Sequence, residues 1–317
     1  MKKWIALALV LLLGLSMTAC GEEEGKYVVG ICQQAVHPAL DAATQGFQDG
    51  LKEALGEDKV EFRLQNASGD PNTCATIVNT FVSDEVSLIM ANGSAALQAA
   101  ATATADIPVL GTSVTEYGTA LKIENFDGLV GGNVSGTSDL APLDKQAAMV
   151  KEWFPEAKTV GLLYCSAEPN SQYQVEVVSR ELEALGYTTN LYSFADTNDL
   201  AAVTEKCASE SDVIYVPTDN AVANATGVID GICRPAGVPI IAGESGICSG
   251  CGVAALSISY YDLGVATGKM AAKILSGEGD ISQMPIEYAA NTTYVYNQEI
   301  CDALGLTPPE GYTPIGE

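Results

Sequence analysis

GKYVVGICQQAVHPALDAATQGFQDGLKEALG, residues 25–56, contains the pattern that decides the fold. Residues 26–33 form a short run rich in β-branched side chains, which predicts a strand buried on both faces. Apolar residues then recur at helical spacing over residues 40–55, and Pro38 suits the first turn of that helix. A strand followed directly by a packing helix is half of a βαβ unit. The loop between them, residues 34–37, should therefore lie at the carboxyl end of a parallel strand, where ligands bind in open α/β sheets.

The alternation of strand and helix occurs twice. It runs through residues 60–116 and starts again through residues 157–242. Short connections between alternating strands and helices predict a parallel, doubly wound sheet. The two series can be superposed, because Ile107-Pro108-Val109-Leu110 corresponds to Val238-Pro239-Ile240-Ile241. A repeat of about 130 residues is longer than any solenoid period and predicts two similar lobes that face one cleft.

The N-terminal residues carry a targeting pattern. Lys2 and Lys3 precede an apolar run at residues 4–15 that is too short for a membrane-spanning helix. Residues 15–20, LSMTAC, resemble a bacterial lipobox, in which the signal peptide is removed and Cys20 is acylated. An ordinary signal peptide cleaved after an alanine is the alternative. The sequence therefore predicts an extracytoplasmic protein that is anchored to the cell membrane by lipid.

Composition narrows the class of partner. The formal net charge is −25, with 40 acidic and 15 basic side chains. Such an excess argues against nucleic acid or anionic lipid as a partner, because either would require a basic face. The roughly 300 residues of the mature chain suffice for two lobes.

Cysteines other than Cys20 need a separate interpretation. An extracytoplasmic setting permits disulfides, but their pairing cannot be deduced from sequence. The C-x-x-C of residues 248–251 is expected in a glycine-rich loop, where a redox thiolate would lack a helix N-terminus. A local disulfide or unreactive thiols are preferred over a metal site with distant ligands. No metal site is predicted, because the chain has only one histidine.

The repeat places unlike polar groups opposite one another. Superposing equivalent strands sets Ser94 opposite Asp219 and Ala95 opposite Asn220. Free N–H groups at a helix N-terminus bind anions, so the turn that contains Ser94 and Ala95 is a candidate carboxylate site. Asp219 is a suitable acceptor for an ammonium group. Ser and Asp are also preferred helix caps, so capping alone is the alternative for Ser94 and Asp219.

A second pair of loops adds a second acid. Superposing the proline-containing strands sets Ser113 opposite Glu244, with Thr115 close to Ser113 in sequence. Glu244 is expected as a bare carboxylate at a strand end, with a solvated loop acid as the alternative. His37 is a candidate ligand contact, although a capping or core-edge role is favoured. One lobe for a carboxylate and one for an ammonium group describes the binding of an α-amino acid.

Longer motifs carry a family resemblance. VGICQQAVHPALDAATQGFQDGLKEALG, QNASGDPNT, NVSGTSDLAP, VPTDNAVA and YYDLGVATGKMAAKILSGE occur in that order. The chain resembles the extracytoplasmic substrate-binding lipoproteins of ABC importers linked to tryptophan and tyrosine uptake. The resemblance implies a type I periplasmic-binding-protein fold with three crossings between lobes, closure on an aromatic amino acid, and delivery to an ABC permease and its ATPase. The matching loop positions are Ser94, Ser113, Thr115, Asn170, Asp219, Asn220 and Glu244.

The resemblance also guides the expected division of the chain. The Gly/Ser/Asn-rich run at residues 131–139 interrupts the strand–helix alternation and is expected to cross between lobes. The expected parts are residues 1–19 as a signal peptide, 20–25 as a tether, 26–136 with 262–284 as the first lobe, and 137–261 with 285–317 as the second.

An aromatic amino acid is not the only ligand that the residue pattern allows. A sugar or a non-aromatic amino acid is the alternative ligand, because Asp219 and Asn220 also accept hydrogen bonds from hydroxyls. Sugar sites usually add an arginine, and the arginines here fall within predicted elements. An enzyme is not expected, since His37 is the only histidine and no nucleophile elbow lies between a strand and a helix. Glycine-rich phosphate motifs are missing from the sequence, and no cofactor is predicted.

Overall fold

Two sheets organise the protein, whose computed structural model describes residues 25–315. The strands are β1 (Tyr27–Gln33), β2 (Val60–Asn66), β3 (Leu88–Asn92), β4 (Val109–Val114), β5 (Val134–Ser138), β6 (Thr159–Cys165), β7 (Thr188–Phe194), β8 (Val213–Val216), β9 (Ile240–Ala242), β10 (Ala254–Ser257), β11 (Glu287–Tyr288), β12 (Thr293–Tyr296) and β13 (Thr313–Pro314). The first sheet has the order β11-β5-β4-β3-β1-β2, and the second has the order β13-β12-β10-β9-β8-β6-β7. Named strands pair in parallel, except that β10 and β12 are antiparallel.

Helices cover both sheets. They are α1 (Pro38–Leu55), α2 (Pro71–Ser83), α3 (Ser94–Ala103), α4 (Tyr117–Leu121), α5 (Leu143–Trp153), α6 (Pro169–Ala184), α7 (Leu200–Glu210), α8 (Asn220–Ala223), α9 (Thr226–Ala236), α10 (Ser245–Cys251), α11 (Tyr260–Leu275) and α12 (Gln298–Leu304). Each lobe is thus an α/β unit built on a largely parallel sheet, as the sequence predicts. Within the described residues no helix has the length and apolar character needed to span a membrane.

The chain crosses between the lobes three times. It leaves the first lobe after β5, returns between β10 and α11, and leaves again between β11 and β12. The expected boundaries differ from this path in two places. The run at 131–139 is not simply a crossing, because it contains β5 of the first sheet. The strand β11 pairs with β5, whereas the sequence analysis assigns residues 285–317 to the second lobe.

A glycine explains why β5 does not have the sequence pattern of a strand. A Cβ atom on Gly136 would lie 2.1 Å from the carbonyl oxygen of Gly111 in the neighbouring strand β4. Only glycine permits this approach of the two backbones, and Gly136 has a φ of 147°. The strand therefore has a composition that is typical of a loop.

The returning helix α11 is fixed to the first lobe by a backbone contact with α1. A Cβ atom on Gly264 would lie 2.1 Å from the carbonyl oxygen of Ala43, and one on Gly46 would lie 2.0 Å from that of Tyr261. Gly50 and Gly268 repeat this pattern one turn further along. The two helices run in parallel, so their N-terminal ends lie at the same end of the first lobe.

This glycine crossing predicts a strong dependence of stability on side-chain size. Gly264→Ala should lower the free energy of unfolding by about 2–3 kcal/mol, because its methyl group would clash with the α1 backbone. Gly231→Ala is the matched control, since Gly231 lies in helix α9 and a methyl group there would meet nothing within 4 Å beyond its chain neighbours and the backbone of its own helix. The control should be neutral or stabilising by up to about 1 kcal/mol. Urea unfolding measures both, and equal stabilities of the two variants would contradict the packing.

Candidate ligand-binding site

A small cavity lies between the lobes, where the loops after the parallel strands meet. It is nearly filled by its own side chains, with about 10 Å³ open to a water-sized molecule. Its lining residues are His37, Leu40, Ser113, Thr115, Asp139, Asn170, Thr218, Asp219, Asn220, Ala223, Glu244 and Tyr260. The structure therefore brings together seven of the nine residues selected from the sequence. Two of them, Ser94 and Ala95, do not line this inner cavity.

Gln34 occupies the place expected for a ligand carboxylate at the start of α3. The backbone N–H of Ala95 donates a hydrogen bond to Gln34 Oε1 over 2.8 Å. The Gln34 side chain packs so closely that a Cβ atom on Gly93 would lie 2.6 Å from the same oxygen. The predicted carboxylate site at Ser94 and Ala95 is thus filled by the protein's own amide, and Ala95 instead lines a neighbouring cleft.

Asp219 both lines the cavity and caps a helix. Its Oδ1 accepts from the N–H of Val222 over 2.9 Å, and its Oδ2 accepts from the N–H of Cys165 over 2.7 Å. The capping role is therefore real, and both oxygens are engaged by backbone. Burial raises the pKa of Asp219 to about 7, with a further contribution from the negative charge of Glu168. Asp219 therefore offers the cavity a negative charge rather than a free hydrogen-bond acceptor.

Glu244 likewise lines the cavity and caps a helix, α10. Its Oε2 accepts from the N–H of Gly246 over 2.6 Å, and its Oε1 accepts from that of Ile247 over 2.5 Å. Only 3% of the residue is exposed, so it is not a solvated loop acid. Burial raises the pKa of Glu244 to about 6, although the two backbone hydrogen bonds oppose this shift.

The helix capped by Glu244 corrects one expectation about the cysteines. Cys248 and Cys251 lie within α10 rather than in a loop, and both are buried free thiols. Burial raises the pKa of each thiol well above its ordinary value. No group of three or more His, Cys, Asp or Glu side chains in residues 25–315 is arranged to hold a metal ion.

Asp139 is a site residue that sequence reasoning missed. It is 4% exposed, and its Oδ2 accepts a hydrogen bond from the hydroxyl of Tyr260 over 3.0 Å. Among residues 25–315 no group is hydrogen-bonded to its Oδ1. Burial raises the pKa of Asp139. The available signal was its place at the first crossing, directly after the polar strand β5.

Two further buried atoms at the cavity lack a hydrogen-bond partner among the described residues. They are Ser113 Oγ and Asn170 Oδ1. Ser113 adopts a left-handed backbone with a φ of 53°, next to a register shift between β4 and β5. A non-glycine residue in this conformation is strained, and such strain is concentrated at functional sites. Buried polar atoms are normally paired, so three unpaired ones around one cavity indicate a place for a polar ligand.

His37 forms a hydrogen bond across the cleft. Its Nε2 lies 3.1 Å from Asn220 Oδ1, while Asn220 Nδ2 donates to Glu168 Oε2 over 2.7 Å. A flipped Asn220 amide would put oxygen against carboxylate, so Oδ1 faces His37 and His37 Nε2 must carry the proton. The side chain makes no capping hydrogen bond to α1, and burial lowers its pKa. The neutral ring therefore joins the two lobes.

A larger cleft opens to solvent beside the inner cavity. It has about 670 Å³ open to a water-sized molecule and is lined by residues of both lobes, including Gln34, Val36, Glu168 and Ala221. Asn170 lines both spaces. It is the lining residue that the inner cavity and the outer cleft share.

Comparison with known families identifies the class of protein. The family described as ABC transporter substrate binding protein matches residues 28–313. The chain belongs to this family. It is therefore the substrate-binding protein of an ABC transporter, with the type I periplasmic-binding-protein fold. Such proteins are extracytoplasmic and bind the substrate of the transporter.

Individual relatives cover most of the chain. A tyrosine-binding protein of Clostridioides difficile strain R20291 is 31% identical over an alignment of 322 positions, which covers 96% of this chain and 93% of that protein. An ABC domain from Streptococcus pneumonia, solved in complex with L-Trp, is 32% identical with a TM-score of 0.86, covering 91% of this chain and 100% of that one. A ligand-free, open substrate-binding protein with adhesive properties from Clostridium difficile is 35% identical with a TM-score of 0.70, covering 91% and 99%.

These comparisons also bear on the arrangement of the lobes. The open, ligand-free relative has the higher identity but the lower TM-score of the two solved structures. This substrate-binding protein therefore resembles the L-Trp complex more than the open form. The hydrogen bond between His37 and Asn220 joins the lobes and agrees with a closed arrangement.

The buried acids predict an inverted pH dependence of stability. The folded-state pKa values of Asp219 and Glu244, about 7 and about 6, exceed their ordinary values of 3.8 and 4.5. A group that binds its proton more tightly when folded contributes stability fully below about pH 4, and loses it as the pH rises through the folded pKa. From pH 8 to pH 5 the ligand-free wild type should gain thermal stability relative to the Asp219→Asn/Glu244→Gln variant, on the order of 5 °C in Tm.

Thermal unfolding of both proteins across this pH range provides the measurement. The variant is the necessary control, because groups that titrate in this range in both proteins, such as His37 with its pKa lowered by burial, cancel in the comparison. If the difference in Tm between the wild type and the variant does not change with pH, neither acid has a raised pKa in the folded protein.

Proposed function

We propose that this protein captures an aromatic amino acid, tryptophan, tyrosine or phenylalanine, by hinge closure and delivers it to an ABC permease and its ATPase. The observation that carries the proposal is the meeting of three unpaired buried polar atoms, on Asp139, Ser113 and Asn170, in one interlobe cavity. One relative is a tyrosine-binding protein and another was solved with L-Trp bound, which supports the class of ligand.

The ammonium group of the ligand binds Asp139. Asp139 Oδ1 is an acceptor without a partner among the described residues, whereas the oxygens of Asp219 and Glu244 are held by backbone N–H groups. All three carboxylates lie around the same cavity, and none of its lining residues in the described chain is Lys or Arg. Buried carboxylates without a cation are costly, so a bound ammonium group relieves the charge of all three.

The carboxylate of the ligand binds on the first lobe. Ser113 Oγ has no partner within residues 25–315 and can donate to a carboxylate oxygen, with Thr115 beside it in the cavity lining. This assignment replaces the turn at Ser94 and Ala95, whose amide is already engaged by Gln34. A site that offers hydroxyls at one place and a carboxylate at another fits a zwitterion. A sugar finds no arginine among the described lining residues.

Apolar residues lie beside the polar groups of the inner cavity. Leu40 faces the cavity from the first lobe, Ala223 from the second, and Tyr260 at the start of α11 is the aromatic residue among the described lining residues. Tyr117 and Tyr215 are not pocket residues, since both are fully buried in the two cores. Ligand sites are typically apolar with a few placed polar groups, which is the arrangement here.

Closure of the two lobes around the ligand makes these contacts strong enough for tight binding. The hydrogen bond between His37 and Asn220 draws the lobes together and excludes water from the charged groups. Hydrogen bonds to charged groups contribute about 1.5–3 kcal/mol each. A few such bonds, less the cost of ordering the ligand and the lobes, give micromolar or tighter binding.

Isothermal calorimetry with tyrosine, tryptophan, phenylalanine, leucine and glucose tests the proposal. We expect binding of aromatic amino acids with micromolar or lower Kd, and loss of at least about 100-fold in Asp139→Asn, because the ammonium group then loses its charged acceptor. Asp144→Asn is the matched control, since Asp144 is an exposed acid on α5. No heat with any aromatic amino acid, or full affinity in Asp139→Asn, would contradict the proposal.

Acylation of Cys20 would hold the protein at the outer face of the cell membrane. Cys20 lies outside the described residues, and the support for the anchor is the lipobox-like sequence LSMTAC. Cys20→Ser should abolish labelling of the protein by a radioactive fatty acid, because the thiol that accepts the lipid is gone. Metabolic labelling with immunoprecipitation measures this, and unchanged labelling would contradict acylation of Cys20.

A further inference from the structure

We propose that Asn170 distinguishes tyrosine and tryptophan from phenylalanine. Its side-chain oxygen accepts a hydrogen bond from the phenol O–H or the indole N–H of the ligand. The inference rests on the proposed function and adds to it the selectivity among aromatic amino acids. It is carried by the orientation of the Asn170 amide and by the position of this residue between the inner cavity and the outer cleft.

The orientation of the amide follows from its neighbours. Asn170 Nδ2 donates to the carbonyl oxygen of Thr218 over 3.0 Å and to Glu168 Oε2 over 3.2 Å. Both partners are oxygens that only accept, so a flipped amide would place oxygen against oxygen. Asn170 Oδ1 is therefore directed away from them. It is fully buried and has no donor among the residues that the structure describes.

A second amide prevents Asn170 from rearranging. Gln174 Nε2 donates to the Asn170 carbonyl oxygen over 3.0 Å and to the Thr218 carbonyl oxygen over 3.1 Å. Gln174 Oε1 in turn accepts from the Thr218 N–H over 3.0 Å. The first turn of α6 and the loop before α8 are thus tied together. The unpaired oxygen of Asn170 cannot find a partner by a local shift, and a ligand must supply one.

The position of Asn170 assigns this partner to the ligand side chain. Asp139 and Ser113, which bind the amino acid head group, line only the inner cavity. Asn170 lines the inner cavity and also the outer cleft, whose wall nearby includes the small apolar residues Ala95 and Ala221. A side chain that extends from the head group towards the larger space passes Asn170.

The donor chemistry separates the three aromatic amino acids. Tyrosine carries an O–H and tryptophan an N–H at the polar edge of the ring, whereas phenylalanine carries no donor. Phenylalanine would leave Asn170 Oδ1 buried and unpaired, without access to water. A site built to hydrogen-bond a ligand O–H or N–H rejects the analogue that lacks it. The ligand ammonium group is the competing donor, and it would make Asn170 equally important for all three amino acids.

Calorimetry on the mature chain with tyrosine, tryptophan and phenylalanine distinguishes these two roles. The wild type should bind tyrosine and tryptophan at least about tenfold more tightly than phenylalanine. Asn170→Ala should weaken tyrosine and tryptophan by about 10- to 100-fold and phenylalanine by less than about threefold. Gln172→Ala is the matched control, because it removes an exposed amide from the same helix and should leave all three affinities unchanged. Thermal unfolding verifies that each variant is folded.

A probe on the ligand side keeps the test valid if Asn170→Ala fails to fold. 4-Fluoro-phenylalanine is close to tyrosine in size but has no donor, so the wild type should bind it at least about tenfold more weakly than tyrosine. Equal losses for all three amino acids in Asn170→Ala, or equal wild-type affinity for tyrosine and 4-fluoro-phenylalanine, would overturn the role of Asn170 while the proposed function stands. No binding of any aromatic amino acid to the wild type would overturn the proposed function itself.

Discussion

Three buried carboxylates around one cavity, without a cation to pair with among the described lining residues, are the constraint on which this structure depends. Ionised acids in a low-dielectric interior are costly unless they are hydrogen-bonded or paired. Asp219 and Glu244 meet this requirement through the backbone N–H groups that begin α8 and α10. Asp139 meets it only in part, through Tyr260, and keeps one oxygen without a partner in residues 25–315. Helix caps that stabilise the second lobe thus also make the cleft attractive to a cation.

The fold explains why these groups meet. Parallel strands bring their carboxyl ends to one edge of each sheet, and the crossings turn the two edges towards each other. Asp139 lies at the first crossing and Tyr260 directly after the second, so the hydrogen bond between them joins two of the connecting segments. The site is therefore built partly from the hinge itself. Movement of the lobes and presentation of the free carboxylate oxygen are linked.

Sequence alone predicts the fold and much of the cavity, because strand and helix periods are local and the repeat aligns equivalent loops. Contacts between distant residues account for what it missed. Gln34 fills the turn at Ala95 from 61 positions away. Asp139 was not predicted because the close approach of the β4 and β5 backbones at Gly136 gives β5 the composition of a loop. Helix α10 escaped because it is short and rich in Gly and Cys, and its one clear signal, the cap Glu244, also suits a ligand group.

The glycine crossing of α1 and α11 has a consequence for how ligand choice can change over evolution. Any larger side chain at Gly46, Gly50, Gly264 or Gly268 would push the two backbones apart. The ends of these helices carry Leu40 and Tyr260, so the first-lobe wall of the cavity has a fixed width. New ligand preferences are then expected to arise in the second-lobe loops, where substitutions do not have to preserve a contact between two backbones.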